Sequence, residues 1–131
     1  MLAVYRRRFT LCGYTPGMHK IFDMTFASVY PLYLAKVERK GRTRSELDTV
    51  IGWLTGFSDE ELAQHMSTET TFREFFNSAR LNPAAVHITG SVCGVKVQEV
   101  ADPLMRQIRM LDKLVDELAK GRPLEKILRA L

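Results

Sequence analysis

The sequence predicts an all-α domain of about six short helices, and three observations carry that expectation. Capping residues recur just ahead of apolar stripes of helical period, glycines recur where the stripes stop, and only one segment has strand propensity. The alternative is a mostly α domain with a small β element near Val92–Val97.

Ser28 is a suitable N-cap for the first helix, with Pro31 in its first turn, where the N–H that proline lacks has no intrahelical partner. This helix should run to about Lys40 and stop at Gly41. Thr43 and Glu46 form a capping box ahead of Leu47, Val50, Ile51 and Leu54, a stripe that Trp53 widens. Gly56 closes that helix, and Ser58 with Glu61 opens the next, with Phe57 and Leu62 as its hydrophobic staple and an end at His65 or Met66. Thr70 or Thr71 caps a helix whose Phe72, Phe75, Phe76 and Ala79 face one way.

Asn82-Pro83 and Asp102-Pro103 each place a capping side chain before a proline suited to the first helical position. After the second pair, Leu104, Ile108, Leu111, Val115 and Leu118 follow a 4-3-4-3 spacing, the narrow seam of a helix lying along a neighbour. Lys120-Gly121 ends it, and Pro123 opens a last amphipathic turn with Leu124, Ile127, Leu128 and Leu131. Between these, 84–100 is ambiguous. Its valines favour a strand, but a lone strand has no partner for its backbone groups, so a helix with Gly90 and Gly94 on one face is preferred.

Of 131 residues, 46% are hydrophobic, 26% charged and 9% aromatic, which excludes disordered and collagen-like chains. A chain of this length buries roughly two-thirds of its unfolded surface and needs neither metal nor disulfide to fold. The net charge of +4 invites an anionic partner, yet Arg6, Arg7 and Arg8 account for three of those units, and residues 18–131 hold 16 basic against 15 acidic side chains. Residues 1–17, punctuated by Gly13, Pro16 and Gly17, are expected to be a basic, disordered extension to one helical domain at 18–131, with Met18 a candidate start. The longest apolar stretch, Phe26–Ala35, is ten residues and contains Pro31, too short to span a membrane. No secretory h-region follows the arginines, so a cytoplasmic protein with Cys12 and Cys93 as reduced thiols is expected, without a membrane partner.

Several blocks together resemble a known family. They include His19-Lys20-Ile21-Phe22, Phe26–Tyr33, Lys40-Gly41-Arg42-Thr43, Trp53-Leu54-Thr55-Gly56, Asp102-Pro103-Leu104-Met105 and the run from Leu111 to Gly121. The chain from Met18 onward resembles a bacterial family of small uncharacterised proteins, the domain of unknown function numbered two thousand two hundred. The resemblance implies a bacterial cytosolic protein starting near Met18. It carries no established activity and therefore no catalytic residue.

No nucleophile elbow, phosphate-binding glycine loop, dinucleotide fingerprint or zinc-protease motif is present, so no catalytic residue, cofactor or metal is assigned. His19, His65 and His87 are not spaced as paired ligands and are expected at surface or boundary positions. Asp112, Asp116 and Glu117 read as a solvated charged face paired at helical spacing with Arg109, Lys113 and Lys120. The candidate binding residues are Lys36, Arg39, Lys40, Arg42 and Arg44, which bracket Gly41 where one helix ends and another begins. Free N–H groups at that second helix start could receive a phosphate or carboxylate. Tyr30, Tyr33 and Trp53 line a groove if the two helices form an antiparallel hairpin.

The leading expectation is a non-enzymatic interaction module, a homodimer through the Leu104–Leu118 seam. The alternatives are an anion or nucleic-acid binder at the Lys36–Arg44 turn and an enzyme with an aromatic-lined pocket.

Overall fold

The computed structural model describes residues 20–92 and 94–129. The extension at 1–17, Met18, His19, both cysteines and Leu131 lie outside the described residues. In chain order the helices are α1 (Lys20–Asp23), α2 (Phe26–Glu38), α3 (Arg44–Thr55), α4 (Asp59–Ser67) and α5 (Phe72–Ser78). Then come a 3-10 turn (Pro83–His87), strands β1 (Ser91–Val92) and β2 (Val95–Lys96), and a second 3-10 turn (Val97–Glu99). α6 (Pro103–Ala119) and α7 (Leu124–Ile127) complete the fold. The mostly α architecture with a small β element is the expected class in its alternative form.

The capping boxes expected at Thr43–Glu46 and Ser58–Glu61 form, and the Thr71 cap is completed by Glu74 as a third box not among those expected from the sequence. Thr43 with Glu46, Ser58 with Glu61 and Thr71 with Glu74 each exchange side-chain and backbone bonds, satisfying donors that a helix start leaves open. α2 starts earlier than expected. Thr25, not Ser28, is its N-cap, because Phe26 donates to the Thr70 carbonyl (2.8 Å) and Phe72 to that of Met24 (2.9 Å), pinning this start beside that of α5. Pro31 therefore sits inside α2, where it is exposed. The bond it cannot make belongs to the carbonyl of Ala27, a partly exposed residue that solvent can serve.

The preference for helix across 84–100 is overturned. The strand finds its partner within six residues, Ser91 opposite Lys96 and Val92 opposite Val95, with Gly94 at φ +81° in the turn. Further polar groups of the segment are met by backbone and side chains: Val97 donates to the Gly90 carbonyl (3.0 Å), Gln98 accepts from the Gly90 N–H (3.0 Å), Lys113 donates to the Ser91 carbonyl (2.9 Å), and Arg106 donates to those of Val100 and Gln98. α6 thus completes the hairpin, and Asn82-Pro83 opens a 3-10 turn instead of an α-helix.

α2, α3 and α6 pack against one another at the centre. α4 and α5 close one side through an aromatic cluster in which Phe26 stacks on Phe75 with centroids 4.3 Å apart, and Phe57 lies 5.0 Å from Phe75. Ile108, Leu111, Val115 and Leu118 of the seam are all buried in the core of their own chain, and Leu104 packs at its edge. The 4-3-4-3 spacing therefore reports intrachain packing.

Gly56 ends α3 at φ +77°, and a Cβ there would stand 2.9 Å from the Arg80 carbonyl oxygen. Gly121, at φ +89°, has nothing within 4 Å of the same position. Gly56→Ala should therefore lower stability in urea denaturation by about 2 kcal/mol or more, and Gly121→Ala by only about 1 kcal/mol. Equal losses would show that the Arg80 contact is readily relieved.

Candidate functional site

At the α2–α3 turn, Arg42 is the organising residue. Its Nε and Nη2 donate to the two oxygens of Glu46 (3.2 and 3.0 Å), and its Nη1 donates to the carbonyls of Leu118 (3.1 Å) and Arg122 (2.9 Å). One guanidinium thus joins the start of α3 to the end of α6. Glu46 also accepts the Thr43 N–H (3.0 Å), and the Arg42 hydrogen bond leads the interactions that hold its carboxyl down at about 2. The helix start expected to receive an external anion is filled by the chain's own carboxylate.

The other cations separate into two groups. Lys36 bonds Asp116 of α6 (3.3 Å), and Arg44 lies over the Tyr30 ring, 5.5 Å from its centroid. Arg39 and Lys40 are exposed, with no partner among the described residues. Arg42's bonds to the end of α6 bring a second turn alongside the first, which sequence reasoning missed. Lys40-Gly41-Arg42 and Lys120-Gly121-Arg122 share their tripeptide, their left-handed glycine and a backbone bond from the arginine N–H to a carbonyl five residues back. The repeated tripeptide was the available signal. Lys120, 72% exposed, pairs with Asp116 (3.1 Å), and Arg122 with Glu117 (3.1 Å).

Tyr30, Tyr33 and Trp53 do not form one groove. Tyr33 is buried and donates to Asp112 on α6 (2.9 Å), whereas Tyr30 donates to Asp48 on α3 (2.5 Å). Trp53 is half-buried, and its carbonyl accepts from Asn82 (3.2 Å). Burial first, then the bond to Asp48, pushes the Tyr30 hydroxyl up to about 12. Tyr30 forms the floor of an open cleft of about 330 Å³ between α2, α3 and α4, together with Phe26 and Leu62, while Arg44, Asp48 and Asp59 stand around it.

The acidic face of α6 is not solvated. Asp112 and Glu117 are each 5% exposed, because α2 and the C-terminal segment cover them. The helical pairs do form, but longer-range partners join them: Tyr33 and Lys36 from α2, and Arg122 and Arg129 on Glu117 Oε2, the latter at 2.7 Å. Burial pushes Asp112 up to about 7 against the opposing pull of Arg109, 3.4 Å away, Tyr33 and Lys36. His65 lies against Phe57 and Phe75 at the core boundary, and burial lowers its pKa. His87 is exposed. No helix among the described residues is long and apolar enough to cross a membrane.

These features define a small, mostly helical protein with two adjoining basic turns and an open cleft between α2, α3 and α4. Its structure is similar to the crystal structure of uncharacterized protein SP1917, with a TM-score of 0.81 and 41% identity over 87% of this chain and 94% of that one. Residues 20–129 match the family described as an uncharacterized protein conserved in bacteria, DUF2200, and the chain belongs to that family. No curated protein matches it.

Asp112 has a measurable consequence. The folded chain keeps its proton up to about pH 7, whereas an unfolded chain releases it near the ordinary value of 3.8, so this residue makes stability fall as pH rises between those values. His65, lowered on folding, contributes a rise with pH in the region below 6.5. Urea midpoints measured from pH 5 to 8 should fall more steeply with pH in the parent than in Asp112→Asn. Parallel curves would place the titration elsewhere.

Proposed function

We propose that the protein is a non-enzymatic, cytoplasmic interaction module whose paired Lys-Gly-Arg turns receive the phosphate backbone of a nucleic acid. The observation that supports this reading is the Arg42 clamp. A helix C-terminus attracts cations, and at α6 Arg42 meets that demand from within, donating to the terminal carbonyl of Leu118 and to that of Arg122 in the turn that follows. Arg39, Lys40 and Lys120 are left facing water around two adjoining turns, the arrangement that phosphate contacts require. The sequence-level idea of an anion at the start of α3 is replaced by a surface built from two helix ends.

Fluorescence anisotropy with a labelled DNA duplex tests this. Three phosphate contacts predict a roughly fortyfold loss of affinity between 50 and 200 mM salt. Arg39→Ala/Lys40→Ala should weaken binding at low salt and reduce the slope of log affinity against log salt by about 2, with Lys120→Ala removing about one more. Arg42→Ala is unsuitable, since it would also release the end of α6. An absence of binding at low salt, or a double variant that binds like the parent, would sink the proposal.

A further inference from the structure

We propose that the cleft between α2, α3 and α4 is a binding site for a small organic amine, a protonated ammonium carried on an apolar stem. Its volume of about 330 Å³ falls at the lower end of the range for small-molecule sites, about 300–1,000 Å³. Phe26, Tyr30 and Leu62 are buried and make an apolar floor, and Met66 adds an adaptable thioether wall. That floor suits an alkyl or aryl stem.

The surrounding charges select the head group. Asp48 and Asp59 face one guanidinium, Arg44, and none of the three forms an ion pair within 4.0 Å among the described residues. Arg44 and Asp48 are four apart on α3, a spacing that permits a bridge. Instead Arg44 lies over the Tyr30 ring, and Asp48 takes the Tyr30 hydroxyl on one oxygen, leaving the other oxygen available to a donor. The carboxylates of α6 behave differently, since Asp112, Asp116 and Glu117 are all paired. Two available carboxylates beside an apolar floor, with a cation already parked on the aromatic face, leave one net negative charge for an incoming ammonium. The site is separate from the basic turns, and neither proposal depends on the other.

The test is titration of the full chain with n-hexylamine, followed by amide chemical shifts, with n-hexanol and hexanoate as matched controls. Hexylamine should shift the amides of Asp48, Leu62 and Met66 in a saturable way and bind at least about threefold more tightly than hexanol. Asp48→Asn and Asp59→Asn should each weaken it by about three- to fivefold, with hexanol unaffected. Ala63→Phe fills the cleft from an exposed position on α4 and should abolish saturable binding with an unchanged unfolding midpoint. Non-saturable shifts, hexanoate binding as tightly as hexylamine, or indifference to all three substitutions would overturn the assignment.

Discussion

The Arg42 guanidinium satisfies two helix ends at once, and the arrangement of α2, α3 and α6 rests on it. The 17-residue α6 leaves its last carbonyls without intrahelical partners in a region that α2 and α3 partly cover. With one nitrogen Arg42 donates to one of them, Leu118, and to the Arg122 carbonyl just beyond the helix, and it holds Glu46 with the rest of its fork. Glu46 is in turn fixed by the Thr43 capping box. Lysine has no planar fork and could not bond three partners in this geometry. The position of the Lys120-Gly121-Arg122 turn follows from this chain of bonds.

A second constraint is the burial of two carboxylates on α6, Asp112 and Glu117, beside the partly exposed Asp116. Apolar burial is non-directional, so on its own it fixes the register of α2 on α6 less sharply than hydrogen bonds do. Tyr33 on Asp112 and Lys36 on Asp116 add that direction, because a displaced α2 would leave the buried Asp112 Oδ1 without its Tyr33 donor. Tyr30 and Tyr33, three residues apart on α2, reach in different directions, one to α3 and the other to α6. Two hydroxyls of one helix therefore orient it between two others, and the same placement sets Tyr30 in the floor of the cleft.

Local chemistry was readable wherever both partners lie within one turn. The Thr43–Glu46 and Ser58–Glu61 boxes, the Gly41, Gly56 and Gly121 stops and the Asp102-Pro103 start all follow from neighbours in sequence, and the structure has each of them. The errors came from partners far apart in the chain. Thr25 took the α2 cap from Ser28 because Thr70 and Phe72 hold that segment. The acidic run on α6 shows the same helical spacing whether it faces water or Tyr33, so periodicity could not reveal its burial. Likewise, no local pattern shows that Arg42 points to α6 while Arg39 and Lys40 do not, and Asp48 joins Tyr30 only through the packing of α2 on α3.

The separations along the chain have a kinetic meaning. Tyr33 meets Asp112 across 79 residues, Lys36 meets Asp116 across 80, and Arg42 meets Leu118 across 76. α2, α3 and the turn between them can form early as neighbours, but Tyr33 and Lys36 have no native partner, and Arg42 has only Glu46, until α6 arrives. During synthesis on the ribosome, the first half of this molecule would emerge as a helical hairpin with its polar clamps open. Its final register is set only when the last third of the chain docks.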